Sequence, residues 1–195
     1  MYRILSTTHQ AEAFVRGFHK NTTQDDFRTP DYLIKFVKDT FGTIDRDGAC
    51  SGENCVAQPI DLFSDERMNP GEVLFVNPPW STPEVIRFVD AAVNQTRSGA
   101  TAIFLLPNKL CEVAWVNNVN GFFEKLVMLG GRVDFSGPYS VKKGTTRFGT
   151  FIGILGKNNG NAPAMESITL RELKKRAQPA NETPILAQNL NIFSQ

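Results

Sequence analysis

The chain has 195 residues, of which 41% are hydrophobic and 21% charged, and this composition is that of an ordinary globular domain. A chain of this length can bury a core without the help of disulfides or metals. Its formal net charge of +1 is not that of a protein coated with basic side chains. Any binding of nucleic acid must therefore depend on a local site.

The cysteines and histidines argue against a zinc site. No two cysteines form a C-x-x-C pair, and both histidines lie near the N-terminus, far from the cysteines. We therefore expect no bound metal and reduced thiols, as is usual in the cytosol. The residues concerned are Cys50, Cys55, Cys111, His9 and His19.

The hydrophobic pattern gives no sign of a membrane segment. No stretch approaches the roughly 18 consecutive apolar residues that a membrane-spanning helix needs. The opening MYRILSTTHQAEAF has no apolar leader. We expect a cytoplasmic protein with no membrane association.

The first predicted elements follow a polar N-terminal extension, residues 1–24. The segment TPDYLIKFVKDTFG predicts a helix, because apolar residues recur on one face. Thr29 is its N-cap candidate, Pro30 suits the first helical position, and Gly42 is the stop. A short strand is predicted at residues 43–45.

The middle of the chain contains the strongest predicted strand. A weaker strand is predicted in VAQPIDLF, where Pro59 interrupts it. Val73–Val76 are four consecutive apolar residues, which is typical of a buried strand. The helical pattern TPEVIRFVDAAVNQTRSG and the buried strand ATAIFLLP follow.

The last third predicts a helix in VAWVNNVNGFFEKLVMLG and two strands in GRVDFSG and RFGTFIGILG, paired antiparallel at the edge of the sheet. GKNNGNAP predicts a linker, and TLRELKKRA a helix with Thr169 and Glu172 as a capping box. Alternating strands and helices predict an α/β fold with a mainly parallel sheet. The predicted division is a main domain at 25–156 and a linker with a helical appendage at 157–195.

The tetrapeptide NPPW directly follows the strand Val73–Val76, at the end where doubly wound sheets bind their ligands. Asn77 offers a neutral amide oxygen, and Pro78 offers only its carbonyl because proline has no N–H. Pro79 restrains Pro78 in turn, and Trp80 offers a broad flat face. Two rigid acceptors beside an aromatic ring suit a planar base that carries an amino group.

Such an arrangement can activate a poor nucleophile. The lone pair of a purine amine is delocalised into the ring, and two acceptors that hold both N–H bonds favour a tetrahedral nitrogen that can attack. A base in a duplex must leave its stack to reach the site, and stacking on Trp80 can offset much of that cost. The structural alternative is a strand ended by a Pro-Pro turn, with Trp80 packed in the core.

NPPW resembles the catalytic tetrapeptide [DNS]PP[YFW] of S-adenosylmethionine-dependent amino-methyltransferases. The order of DDFRTPDYLIKFV, GTIDRDGACS, FVNPPWS, IFLLPNK, GRVDF and RFGTFIGIL is similar to that of small phage-type N6-adenine DNA methyltransferases (Dam type). The resemblance covers residues 25–156. It implies a Rossmann-like class I methyltransferase domain, S-adenosyl-L-methionine as cofactor, DNA as partner, and methyl transfer to N6 of a flipped adenine. It also implies that the protein acts in the host cytoplasm if a phage encodes it.

The same resemblance implies roles for particular residues. Asn77 and the Pro78 carbonyl would hold the target amine, Pro79 would keep that carbonyl rigid, and Trp80 would stack on the base. Carboxylates suit the ammonium, ribose and adenine groups of the cofactor, although each Asp is also explained as a cap or turn residue. Asp45 or Asp47 is expected at the end of the first strand. The implied cofactor contacts are Phe27, Thr29, Pro30, Asp45, Asp47 and Asp61.

The loop DGACSG departs from the D-P-x-x-G-x-G pattern of larger relatives, because Gly48 stands where they have proline and the first loop glycine is missing. Basic residues near the last strands could reach DNA phosphates, although a solvated loop explains them equally well. These candidates are Lys142, Lys143, Arg147 and Arg132.

Several other functions remain open at this stage. A glutamine-amide methyltransferase also uses N-P-P plus an aromatic residue, but such relatives have the full glycine-rich loop and a longer N-terminal domain. Adenine in RNA, or N4 of cytosine, would meet the same acceptors and the same ring. A degenerate fold that binds nucleic acid or cofactor without turnover is the alternative outside the enzymes.

Overall fold

A computed structural model describes residues 28–50, 55–135, 144–145, 148–156 and 163–178. In these ranges no helix combines the length and the apolar character needed to cross a bilayer. The helices are α1 (Asp31–Phe41), α2 (Thr82–Thr96), α3 (Val113–Asn118) and α4 (Leu170–Ala177), with a 3-10 turn at Asn120–Phe122. The strands are β1 (Arg46–Asp47), β2 (Gln58–Pro59), β3 (Val73–Val76), β4 (Thr101–Pro107), β5 (Lys125–Gly130), β6 (Asp134–Phe135), β7 (Gly144–Thr145), β8 (Thr150–Leu155) and β9 (Ala164–Thr169).

Seven strands form one sheet in the order β2-β1-β3-β4-β8-β5-β9. Neighbouring strands are parallel except at β8, which runs antiparallel to both β4 and β5. The predicted α/β fold with a mainly parallel sheet and an antiparallel pair is confirmed. The antiparallel strand lies inside the sheet, however, and not at its edge.

The strand β3 shows why helices cover both faces of the sheet. Its residues are all buried, and alternate side chains point to opposite faces. Leu74 and Val76 join a core with the apolar stripe of α2. Val73 and Phe75 join a second core beneath α1 and α4. Full burial of each large apolar side chain contributes about 1.5–3 kcal/mol.

The helix predicted through EKLVMLG is wrong, because this segment forms β5. Its apolar residues are consecutive, and Leu126, Val127 and Leu129 are buried in a strand that lies between β8 and β9. A short apolar run fits a buried strand or a buried helix equally well, so periodicity alone does not separate them. GRVDF contributes only β6, which pairs with β7 in a separate two-stranded sheet.

The strand predicted at residues 43–45 is displaced to Arg46–Asp47. Asp45 precedes β1, and its carboxylate accepts a hydrogen bond of 2.8 Å from the backbone N–H of Val73 at the start of β3. Pro59 lies within β2, where its missing N–H is tolerated because β2 is an edge strand. The strands Val73–Val76 and Thr101–Pro107 are where the sequence predicts them.

The predicted domain boundary at residue 156 does not match the sheet. Ala164–Thr169 form β9, which pairs along its whole length with β5. Leu170 and Leu173 of the following helix are buried in the core beneath α1. The hydroxyl of Thr169 accepts from the backbone N–H of Glu172 at 3.1 Å, so the predicted N-cap is confirmed. Residues 164–177 therefore pack against the sheet and the core of the predicted main domain.

The expectation of reduced thiols fails at two of the cysteines. Cys50 and Cys55 are joined by a disulfide across a short loop. The carboxylate of Asp47 accepts from the backbone N–H groups of Ala49 and Val56, and these bonds bring the two ends of the loop together. Cys111 is a free, exposed thiol.

Candidate active site

The site lies where the order of the strands reverses. From β1 the chain continues to β2 on one side, and from β3 it continues to β4 on the other. The carboxyl ends of β1 and β3 therefore border the crevice in which doubly wound sheets bind ligands. Asp47 ends β1 and is paired with Phe75, and Asn77 directly follows β3.

The carboxamide of Asn77 is held at both ends. Its Nδ2 donates to the hydroxyl oxygen of Thr29 at 3.1 Å, and its Oδ1 accepts from the indole Nε1–H of Trp80 at 3.2 Å. A carbonyl oxygen has two lone pairs, so Oδ1 retains one for a further donor. The polarity of the amide is thus fixed with its oxygen available.

Pro78 is buried and Pro79 is half-buried directly after the strand. Within the described residues, no donor forms a hydrogen bond with the Pro78 carbonyl oxygen. Both prolines have restricted backbone angles, so this carbonyl has a stable direction. Asn77 and Pro78 together offer two neighbouring acceptors.

Trp80 is half-buried and packs at the border of the core beneath α1. Its ring meets the ring of Phe135 edge to face, with centroids 5.2 Å apart. The purely structural alternative requires an indole that is sealed in the interior. Because Trp80 is only half-buried, its indole is not sealed in this way. Its role as a stacking platform stays a prediction.

Asp47 holds the loop that follows β1. It is 4% exposed, and its two carboxylate oxygens accept from Ala49 at 3.2 Å and from Val56 at 3.0 Å. Burial raises the pKa of the Asp47 carboxyl from 3.8 to about 6, and the two N–H groups oppose that rise. These two hydrogen bonds show that Asp47 shapes the loop that follows β1.

The departure at Gly48 has a structural reason. The backbone N–H of Gly48 donates to the carbonyl of Phe75 at 2.9 Å, and proline has no such donor. A Cβ at this position would lie 2.6 Å from a methyl group of Leu62, so a larger residue would force that side chain to move. In this chain the hydrogen bond from Gly48 to β3 holds the start of the loop, at the position where larger relatives have proline.

The two other carboxylates predicted to contact the cofactor, Asp45 and Asp61, lie at opposite edges of the sheet. Asp45 lies at the amino end of β1, where its carboxylate bonds to Val73, so of the two predicted alternatives Asp47 is the one that ends the strand. Asp61 follows the carboxyl end of β2, is half-buried, and accepts from the backbone N–H of Phe63 at 2.9 Å. Asp61 therefore lies at the same edge of the sheet as Asn77.

The predicted residues before α1 fall beside the tetrapeptide. Pro30 takes the cap position and Thr29 makes no cap bond, so the N-cap prediction is wrong. The Thr29 hydroxyl is used on Asn77 instead. Phe27 lies outside the described residues. Gly42 ends α1 with a φ of 90°, which favours glycine, and this prediction is confirmed.

Of the predicted DNA contacts, Lys142, Lys143 and Arg147 lie outside the described residues. Arg132 is exposed just after β5. Because β5 is parallel to β4, Arg132 lies at the same edge of the sheet as the tetrapeptide.

The sequence interpretation missed Lys109. Its Nζ lies 3.5 Å from the hydroxyl of Thr82, 3.8 Å from a carboxylate oxygen of Glu112 and 5.3 Å from the centre of the Phe148 ring. Lys109 thus links the loop after β4 to the start of the helix that follows NPPW. The sequence signal that could have indicated Lys109 is its position two residues after the end of β4, in LLPNK.

The fold is similar to that of a solved structure. A protein from Listeria monocytogenes described as a class I S-adenosylmethionine-dependent methyltransferase has a similar structure, with a TM-score of 0.52 and 14% sequence identity. The match covers 92% of this chain and 76% of that one. A search among curated proteins found no significant match.

The particular family follows from the sequence itself. The family model of DNA N-6-adenine-methyltransferase (Dam) matches residues 18–165, which is more than half of the chain. The chain belongs to this family. It is an adenine-specific DNA methyltransferase with S-adenosylmethionine as its cofactor.

The residues of the crevice fit that cofactor. Asp61 offers a carboxylate beyond β2, which is the position where doubly wound folds bind ribose hydroxyls or an adenine amine. The backbone of Gly48 borders the crevice beside β3, because its N–H donates to the carbonyl of Phe75. Asn77 borders the same crevice from β3.

Proposed function

We propose that NPPW is the catalytic motif and that it methylates an adenine flipped out of duplex DNA. The observation that carries the proposal is the clamped carboxamide of Asn77, whose oxygen is oriented and retains a lone pair at the switch point of the sheet. The family membership supports adenine in DNA as the target. The rigid carbonyl of Pro78 lies next to it in sequence.

In this mechanism the adenine amine donates one hydrogen bond to Asn77 Oδ1 and the other to the Pro78 carbonyl oxygen. Two fixed acceptors favour a tetrahedral nitrogen, so its lone pair is freed from the ring in the transition state. When bound, the cofactor supplies an electrophilic methyl group on a sulfonium. The methylated nitrogen then loses a proton to solvent, since a neutral carboxamide is too weak a base to keep it.

Removing the base from the duplex costs a few kcal/mol. Stacking on the indole of Trp80 contributes on the order of 1–3 kcal/mol and offsets part of this cost. The half-buried ring is supported from one side by the edge-to-face contact with Phe135. The indole N–H lies in the plane of the ring, so Trp80 can keep its hydrogen bond to Asn77 while the base stacks on its face.

The cofactor would lie between β1 and β3, with Asp61 at its adenine or ribose and with Phe27, Thr29 and Pro30 at its border. Asp47 would act indirectly by holding the loop after β1. Phosphate contacts are proposed for Arg132, and for the three basic residues Lys142, Lys143 and Arg147.

The test is the Asn77→Ala variant. We expect its single-turnover rate of methyl transfer to fall by about a hundredfold to a thousandfold, because one placed acceptor is lost from the transition state. The dissociation constant of the cofactor, measured by calorimetry, is expected to change less than about twofold, since Asn77 binds the target amine and not the cofactor.

Asn69→Ala is the matched control. Asn69 is exposed and lies before β3, at the opposite end of the strand, where its side chain bonds to Glu72. We expect the control to keep the wild-type rate. Undiminished activity in Asn77→Ala would refute the proposed mechanism, and an absence of cofactor binding in the wild type would favour a non-catalytic module.

A further inference from the structure

Thr29 contacts the proposed catalytic amide from a distant part of the chain. Its hydroxyl oxygen lies 3.1 Å from Asn77 Nδ2, although the two residues are 48 positions apart. Thr29 is 5% exposed, so water cannot easily replace this bond. A buried donor that loses its partner is costly.

A carboxamide needs such a partner because its two ends have nearly the same shape. Rotation by half a turn would present NH2 to the target amine, and two donors would then face each other. The indole N–H of Trp80 only donates, so it selects the oxygen end of Asn77. The hydroxyl of Thr29 holds the other end and fixes the plane of the amide.

The position of Thr29 is itself rigid. The following Pro30 restricts its backbone, and a β-branched side chain has a stiff χ1 angle. The helix α1 that begins at Asp31 is anchored by Leu33 and Val37, both 1% exposed. The hydroxyl is therefore placed before any ligand arrives.

We propose that Thr29 is a positioning residue for methyl transfer and acts by holding Asn77 in the orientation that accepts the target amine. This inference rests on the proposed function, in which Asn77 is the acceptor. It assigns to Thr29 a role in orienting Asn77, in addition to the cofactor contact that its sequence position implies.

The experiment compares Thr29→Val with Thr29→Ser. Valine keeps the shape and removes the acceptor, whereas serine keeps the hydroxyl. We expect kcat to fall about tenfold to a hundredfold in Thr29→Val, because the Nδ2 group loses its buried partner and the amide rotates. The kcat of Thr29→Ser is expected to stay within about threefold of the wild type, and the KM for DNA within about twofold in both variants. Any rise in the cofactor Kd is expected to be smaller than the fall in kcat.

A double-mutant cycle with Trp80→Phe adds a second readout. Phenylalanine keeps a flat ring but has no N–H, so it also releases the amide of Asn77. If both residues act through that amide, the double variant loses less rate than the product of the two single losses. Independent, multiplicative losses would contradict a shared action.

The outcomes separate this inference from the function on which it rests. Wild-type kcat in Thr29→Val, with Asn77→Ala inactive, would overturn only the role of Thr29. A weakened cofactor Kd with unchanged kcat would assign Thr29 to the cofactor and also overturn it. If Thr29→Val fails to fold, Thr29→Ala against Thr29→Ser gives the same comparison, and equal kcat values would refute the proposal. Full activity in Asn77→Ala would refute the proposed function itself.

Discussion

The carboxylate of Asp47 holds the loop that follows β1. Its two oxygens accept from backbone N–H groups at both ends of the loop that follows β1. The sequence predicted an acid near this strand end but could not choose between Asp45 and Asp47. The choice depends on where β1 begins. In the structure Asp45 precedes β1 and bonds to Val73 in β3, a contact that the sequence does not show.

The raised pKa of Asp47 makes stability depend on pH. The unfolded chain releases this proton near its ordinary pKa of 3.8, while the folded protein keeps it up to about pH 6. The contribution of the protonated Asp47 carboxyl to the unfolding free energy is therefore fully present below about pH 4. This contribution is lost as the pH rises through 6. Relative to Asp47→Asn, the wild type is expected to lose about 3 kcal/mol of unfolding free energy over this window.

Denaturant unfolding of both proteins between pH 4 and pH 7 measures this difference. Two stability curves that keep a constant separation across the window would contradict the pKa argument. A separation that grows in favour of the wild type as the pH rises would reverse its sign.

The proposed catalytic tetrapeptide could be recognised in the sequence because its chemistry is local. Asn77, two prolines and Trp80 are adjacent in sequence, and a short apolar strand before them fixes which end of the sheet they occupy. Thr29 could not be recognised as a partner of Asn77 in the same way. The hydrogen bond between them exists only after α1 packs on the sheet.

At the scale of elements, strong apolar patterns predicted β3, α2, β4 and β8, because tertiary contacts and local preference agree there. The segment Lys125–Gly130 was assigned to a helix, since a short consecutive apolar run has no decisive period. The strand Ala164–Thr169 was missed because its residues are mostly exposed at the edge of the sheet. Backbone pairing with β5, and not burial, makes it a strand.

The helix α4 provides a test of whether the C-terminal segment belongs to the main domain. Leu173 is 1% exposed in the core beneath α1, so Leu173→Ala is expected to lower the unfolding free energy by about 2–5 kcal/mol. Lys175→Ala, on the exposed face of the same helix, is the matched control and is expected to stay within about 0.5 kcal/mol.

Thermal and denaturant unfolding measure both variants. We expect one cooperative transition that shifts as a whole in Leu173→Ala, because its side chain belongs to the shared core. An unchanged midpoint, or a separate early transition of the C-terminal segment, would instead support the appendage that the sequence predicted.

At the scale of the molecule, the alternation of strands and helices predicted the fold class, but not the order of strands. That order places the carboxyl ends of β1, β2 and β3 side by side at one edge of the sheet. Asp47 ends β1, Asp61 follows β2 and Asn77 follows β3. Arg132 and Lys109 lie at the same edge of the sheet. Arg132 is exposed there, whereas the Lys109 side chain is 16% exposed and lies beside Glu112. A near-neutral protein can thus offer DNA a local basic side chain beside the proposed catalytic residues.

The central claim is that this crevice transfers a methyl group to the N6 amine of adenine in DNA. The direct measurement is incubation of the protein with methyl-tritiated S-adenosylmethionine and, in parallel, with DNA, RNA and protein, followed by digestion and identification of the labelled product. We expect the label in N6-methyldeoxyadenosine from DNA, and its loss in Asn77→Ala. Label in methylated cytosine, in RNA or in glutamine, with none in deoxyadenosine, would contradict the account.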